Sequence, residues 1–140
     1  MAVSYLLDTN IVSEIALPHP ARQVQRLWNI HRGHAAMAAI TWHELLYGLQ
    51  RMPDSIRKRG TRQLLLDILY PTLPILAYDE AAAVWHVRER ARLTALGRSP
   101  AYADGQIAAI AATSNLTLVT RNVADFADFA GLSLENWFEA

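Results

Sequence analysis

Cysteine is missing from all 140 residues. That excludes disulfides, zinc-thiolate sites and thiol nucleophiles, and leaves oxygen and imidazole groups as the ligands open to any metal. Lysine is nearly missing as well, since Lys58 is the only one against twelve arginines. A phosphoacceptor or phosphatase site with acids at strand ends needs extra parts. The receiver-like kind wants a lysine at a strand end, whereas Lys58 falls in a helical stretch. Neither a G-x-G-x-x-G turn nor a P-loop occurs, which removes the usual phosphate cradles of nucleotide cofactors. No apolar run approaches the roughly eighteen residues of a membrane span, and no basic stretch followed by a long apolar one opens the chain. A cytoplasmic protein is expected. Net charge is absent too: thirteen basic and thirteen acidic side chains cancel, so bulk charge announces no polyanionic partner.

What remains is rich in apolar residues, 52% of the chain, enough for one core and one domain spanning 1–140. Short apolar runs at 3–7, 35–40, 73–77 and 116–120 read as buried strands, with a last short one over 132–134. Between them lie helical patterns: 10–16, 21–31 up to the stop at Gly33, a third from Trp42, and one from Pro53 and Asp54. This last carries Leu64, Leu65, Ile68 and Leu69 on one face before Pro71. A long helix capped by Asp79 ends near Gly97, and an alanine-rich one covers 103–113. Strands of four to six residues alternating with helices give the βαβ signature. The expected fold is α/β, a three-layer sandwich with a central parallel sheet flanked by helices and joined by right-handed crossovers.

Acids stand just past the ends of these runs. Asp8 follows the first strand, Glu44 the second and Asp125 the fourth, while Asp104 opens the alanine-rich helix. In a parallel sheet all the carboxyl ends share one edge, where open α/β sheets place ligands. Two carboxylates about 4 Å apart repel by about 4 kcal/mol at an effective dielectric near 20, so a cluster of them calls for a cation. Oxygen ligands favour magnesium or manganese. Each acid also has a plainer role open to it. Asp8 could cap the turn, which Thr9 or Asn10 could do instead. Thr41-Trp42-His43-Glu44 matches a capping box. Asp104 gains from the helix dipole, and Asn122 and Asp125 suit a turn. Arg57, Lys58, Arg59 and Arg62 form a local basic cluster, either a phosphate grip or a solvated helix face.

Four segments in order, Leu6-Leu7-Asp8-Thr9-Asn10, Glu44-Leu45-Leu46-Tyr47-Gly48, Ala103-Asp104-Gly105-Gln106-Ile107-Ala108-Ala109 and Leu118-Val119-Thr120-Arg121-Asn122, resemble the PIN-domain family. More narrowly they resemble the VapC-type toxins of bacterial toxin-antitoxin pairs. The resemblance implies a PIN-like fold and a magnesium- or manganese-dependent ribonuclease with Asp8, Glu44 and Asp104 at the family's acidic positions. It also implies a homodimer and a small antitoxin whose C-terminal segment covers the active site. The chain departs at Asn122, where many relatives carry an acid, and offers Asp125 nearby.

On this reading Asp8 and Asp104 hold a divalent ion, while Glu44 with Asn122 or Asp125 completes a second site or orients water for in-line hydrolysis of an RNA phosphodiester. Thr9, Asn10 and Thr120 are candidates for positioning substrate or the acids themselves. The competing class is a non-catalytic RNA- or protein-binding module on the same fold. In it Trp28, Trp42, Trp85 and Trp137 could stack bases, although such tryptophans are more often core or dimer contacts. His43 and His86 lack a matching partner and read as core or surface residues. No motif specifies which RNA is cut.

Overall fold

A computed structural model describes residues 2–139. Five strands form one parallel sheet in the order β3-β2-β1-β4-β5: β1 (Tyr5–Leu7), β2 (Ala35–Ala38), β3 (Ile75–Leu76), β4 (Thr117–Val119) and β5 (Leu134–Glu135). Seven α-helices accompany them: α1 (Thr9–Ile15), α2 (Arg22–His31), α3 (Ala39–Arg51), α4 (Ile56–Gln63), α5 (Glu80–Ala95), α6 (Tyr102–Thr113) and α7 (Val123–Phe126). Alternate strand residues feed the two faces, as the pleat requires. Leu7, Met37 and Val119 join α1, α2 and Leu45 of α3 in one core, whereas Leu6, Ala36, Ala38 and Leu118 join α5 and α6 in the other. The three-layer α/β expectation is met.

Strand β1 lies in the middle, with β2 on one side and β4 on the other. The chain order reverses there, and the crevice left at such a reversal opens over the carboxyl ends of β1 and β4. Asp8 sits in that crevice.

Boundaries moved where local chemistry overrode periodicity. The second strand stops at Ala38 rather than residue 40, because α3 begins at Ala39 and Ile40 packs into the core on the α5/α6 side. The last strand is displaced to Leu134–Glu135 from the expected 132–134. Beyond α4 the chain widens into a π-helical turn, Leu64–Leu69. Leu65 and Leu69 remain buried, but the wider pitch rotates Ile68 outward to 53% exposure, so the expected four-residue apolar face is not formed. Helix α5 ends as expected: Gly97 takes φ +76°, and Arg98 N donates to Leu93 O at 2.8 Å in a Schellman-type stop. Among the described residues no helix is long and apolar enough to cross a membrane.

Candidate active site

The turn after β1 delivers Asp8 at 6% exposure with every oxygen engaged. Oδ1 accepts from the Thr9 amide at 2.8 Å, and Oδ2 accepts from the Thr120 hydroxyl at 2.8 Å and from Asn10 Nδ2 at 3.3 Å. Thr120 is fully buried and also accepts from the Asn122 amide at 3.1 Å, while Asn10 Oδ1 accepts from the Arg121 amide at 3.0 Å. Two turns from distant parts of the chain are thus laced together around one carboxylate. Thr120 and Asn10 aim Asp8, and Thr120 has no surface to offer a substrate. Burial raises the Asp8 pKa, and the hydrogen bonds from Thr120, Thr9 and Asn10 pull it back down. Thr120→Val leaves Asp8 Oδ2 and the Asn122 amide each short of a partner, and a loss of roughly 10- to 100-fold in activity or metal affinity is expected. Titrating the metal against both proteins by calorimetry checks this.

Glu44 is not the reciprocal member of a capping box. Because α3 starts three residues earlier than expected, its cap position is Ala38, without a side-chain hydrogen bond, and Thr41 lies buried inside the first turn. The carboxylate is exposed and accepts from Thr9 Oγ1 at 3.2 Å, and Thr9 Oγ1 also lies 3.4 Å from Thr41 Oγ1. A chain of hydroxyls therefore runs from α1 to α3 beneath the acid. Thr41 was not singled out from sequence; its apparent cap role masked it.

Asp104 lies in the first turn of α6, half-buried. Burial, followed by the charges of Asp8, Asp125 and Glu44, pushes its pKa up to about 6. The charges of the three other acids therefore all reach Asp104. Asp125, on the exposed side of α7, contributes to the fields at both Asp8 and Asp104, whereas Asn122 precedes that helix and makes no side-chain cap hydrogen bond. The loop behind α7 is fixed from α5: buried Glu89 pairs with Arg92 at 2.8 and 2.9 Å and accepts from the Ala130 amide at 2.6 Å. Arg92 also donates to the Asp128 carbonyl at 2.8 Å, and its hydrogen bonds hold the Glu89 carboxyl below the usual range.

The acids share a field rather than a finished cage. Among the described residues no three acidic or histidine side chains form a ready metal-ligand cluster. The donor set nevertheless suits a hard divalent ion: oxygen ligands only, one held deep by hydrogen bonds, and another whose ionisation is opposed by its three neighbours. A cation would reverse that opposition.

Beside Glu44 an apolar groove of about 720 Å³ runs between α1, α3 and α4, bounded by Thr9, Leu17, Leu49, Met52, Ile56 and Leu64. Arg57 reaches this groove, while Arg59 and Arg62 face solvent and Lys58 lies 3.7 Å from the exposed Asp54. The basic cluster is mainly a solvated face. Trp28 and Trp137 are buried in the core, Trp42 stacks on Tyr70 at 4.9 Å and Trp85 meets Phe129 at 5.9 Å. The tryptophans serve packing, and the exposed aromatic surface is tyrosine: Tyr47, Tyr70 and Tyr102.

A parallel sheet with an acid past each of its central strands defines a carboxylate-edged α/β domain. Residues 5–132 match the PIN domain, and the chain belongs to the PIN-domain family. It is 31% identical over 135 residues to a tRNA(fMet)-specific endonuclease VapC of Shigella flexneri, covering 96% of this chain and 98% of that one. It is 33% identical over 124 residues to Toxin FitB of Neisseria gonorrhoeae, covering 86% and 89%. In structure it is similar to FitAcB from Neisseria gonorrhoeae, with a TM-score of 0.87 and 29% identity over 97% of this chain and 99% of that one. It is also similar to DNA-bound VapBC from Salmonella typhimurium, at TM-score 0.84 and 26% identity over 96% and 98%.

Proposed function

We propose that this chain is a divalent-metal-dependent endoribonuclease, the toxin of a type II toxin-antitoxin pair, working as one PIN domain in the cytoplasm. The observation that carries the reading is the convergence of Asp8, Asp125 and Glu44 on Asp104, whose ionisation they oppose after burial, in a chain related along nearly all its length to VapC ribonucleases. Asp8 and Asp104 are the ligands for a magnesium or manganese ion, with Glu44 beside them. Held there, such an ion would supply a water of lowered pKa and positive charge to offset the negative charge developing on the phosphodiester. Asp8, locked by three hydrogen bonds, would give such an ion a fixed anchor on the sheet. Glu44 and Asp125, both exposed, are free to orient the attacking water toward the phosphorus. Asp125 is the fourth acid in preference to Asn122, since its charge reaches the other carboxylates.

The partner is a small antitoxin, as in the toxin-antitoxin complexes that this fold matches. The apolar groove beside Glu44 suits a segment of such a partner, because its occupant would run from an oily trough directly to the acids. The family resemblance further favours a homodimer.

Purified protein incubated with single-stranded RNA is expected to cleave it with magnesium or manganese, to stop on chelation and to resume when metal is restored. Cleavage that persists under chelator refutes the metal-dependent reading. Binding of RNA without turnover at high manganese would favour the binding module instead.

A further inference from the structure

An ion held by the acids would answer for one phosphate of a bound strand, while the neighbouring phosphates meet a crevice edged by carboxylates, in a chain whose formal charge is zero. One cation is built into that edge. Arg121 follows Thr120, whose hydroxyl donates to Asp8 Oδ2 at 2.8 Å, and its own amide donates to Asn10 Oδ1 at 3.0 Å. Asn10 in turn donates to Asp8 Oδ2 at 3.3 Å, so the backbone of Arg121 is tied into the network that aims that carboxylate. Its side chain is exposed and lies over the Phe138 ring, with the guanidinium carbon 4.2 Å from the ring centre. The strands are parallel, so Asp8 past β1, Arg121 past β4 and Phe138 past β5 all stand on the carboxyl edge of the sheet.

The platform under Arg121 is itself fixed. Trp137 is buried at 1% exposure and donates to Glu135 Oε1 at 3.3 Å, and the Phe138 amide donates to Asn136 Oδ1 at 2.9 Å. Phe138 rests partly buried against the core shared by α1 and α2. A ring face attracts a guanidinium through its quadrupole and supplies no hydrogen-bond acceptor. The N–H donors stay open, and their fork matches two oxygens of a phosphate. Resting on the ring also removes in advance rotamer freedom that a phosphate contact would otherwise cost. Among the described residues no carboxylate stands within salt-bridge distance of Arg121, and none of the charges that set the Asp104 pKa is basic. The arginine therefore leaves the acids to a metal and keeps its own charge for something else.

We propose that Arg121, held on Phe138, grips a backbone phosphate of the RNA next to the scissile one, and that Phe138 is the positioning residue for it. This rests on the ribonuclease reading and adds to it the place where the backbone of the strand is fastened. A phosphate carries no sequence, so the grip acts on affinity for any single strand and not on the choice of cleavage site.

The test uses a fluorescein-labelled single-stranded oligoribonucleotide of about ten nucleotides with manganese present. Arg121→Ala keeps the amide that donates to Asn10, and is expected to raise KM about tenfold with kcat changed less than about twofold, on unrelated sequences alike. One phosphate contact fewer also flattens the slope of log Kd against log salt by about 0.7, read by anisotropy in an Asp8→Asn background that does not cleave. Phe138→Leu keeps an apolar side chain but not the ring quadrupole, and weakens binding only while Arg121 is present. In a series of oligonucleotides, each with a single uncharged methylphosphonate linkage, one position imposes the tenfold loss on the parent and none further on Arg121→Ala. Loss of kcat with KM unchanged, an unchanged salt slope, or a weakening that no methylphosphonate position reproduces overturns the grip while leaving the nuclease intact. If the unaltered protein neither binds nor cuts the oligonucleotide, the ribonuclease reading fails first and takes the grip with it. Should Phe138→Leu not fold, the Arg121 variant and the methylphosphonate series decide the matter.

Discussion

Asp104→Asn is expected to lose RNA cleavage by about a thousandfold and, at the same time, to make the metal-free protein harder to unfold above pH 7. The first effect follows if Asp104 is the proposed ligand, since a divalent ion at such a site supplies several kcal/mol to the transition state, each 1.36 kcal/mol being tenfold in rate. The second has the opposite sign because the ionised carboxylate is unwelcome in the fold. Its pKa is raised from 3.8 to about 6, by burial first and by Asp8, Asp125 and Glu44 after it. A carboxyl raised in the folded state contributes stability that is complete below about pH 4 and is lost as pH climbs through about 6. Ionising such a group costs at most about 3 kcal/mol, and its partial contact with solvent screens this to about 1–2 kcal/mol. Asparagine keeps the shape without the charge, so the variant should melt about 4–6 °C higher at pH 7.5 in chelator and about equally at pH 4. Thermal unfolding of both proteins at the two pH values reads this directly. Equal pH dependence would remove the electrostatic account of the site, and surviving cleavage would remove Asp104 from the chemistry.

The second large effect is steric. Gly105→Ala would ordinarily stabilise a helix by about 1 kcal/mol. Here the new methyl meets His86 Nε2 at 2.1 Å and its two neighbouring ring carbons at 2.8 and 2.9 Å. The imidazole cannot swing away cheaply, being buried and bonded to Tyr78. Either it is expelled or α6 moves off α5, and α6 carries Asp104. Overpacking of this kind costs about 1–3 kcal/mol or more, so a net loss of about 2 kcal/mol is expected, with reduced cleavage even in the folded fraction. Combining the change with His86→Ala should recover more than about 1 kcal/mol relative to the sum of the two single variants, since the methyl then enters vacated space. Denaturant melts of the four proteins in the cycle supply the number. Additive losses would mean that the two residues do not meet.

How much of this the sequence disclosed depended on the range of the interaction. Asp8 was legible because a strand, an acid and a helix start are consecutive. The alternation of helices and strands gave the parallel three-layer sheet for the same reason, each element being a run of neighbours. Glu44 was found for its type but misread in its surroundings: the pattern Thr41 to Glu44 satisfies a local rule that the earlier start of α3 overrides, and the position of Ile40 in the core decides that start. Ile68 was placed inside by a 3.6-residue period that the π turn does not obey. The lacing of Asp8 by Thr120, and of the Arg121 amide by Asn10, joins residues more than a hundred positions apart, and no period encodes such a pairing. Gly105 read as one more small residue in an alanine-rich helix. Its particular duty shows only when His86, from another helix, is seen lying where a side chain would be.

Helix α5 is 16 residues long, about 24 Å of stiff rod, and its inward row Ala82, His86, Glu89 and Leu93 does two jobs. His86 bears on the start of α6, where Asp104 sits, and Glu89 one turn further on grips the loop trailing Asp125. Both flanks of the crevice are thereby hung from a single beam. Sliding that beam by even half a helical rise would shift the two acids in concert, so the separation of the carboxylates across the crevice is governed by a row of side chains set behind them.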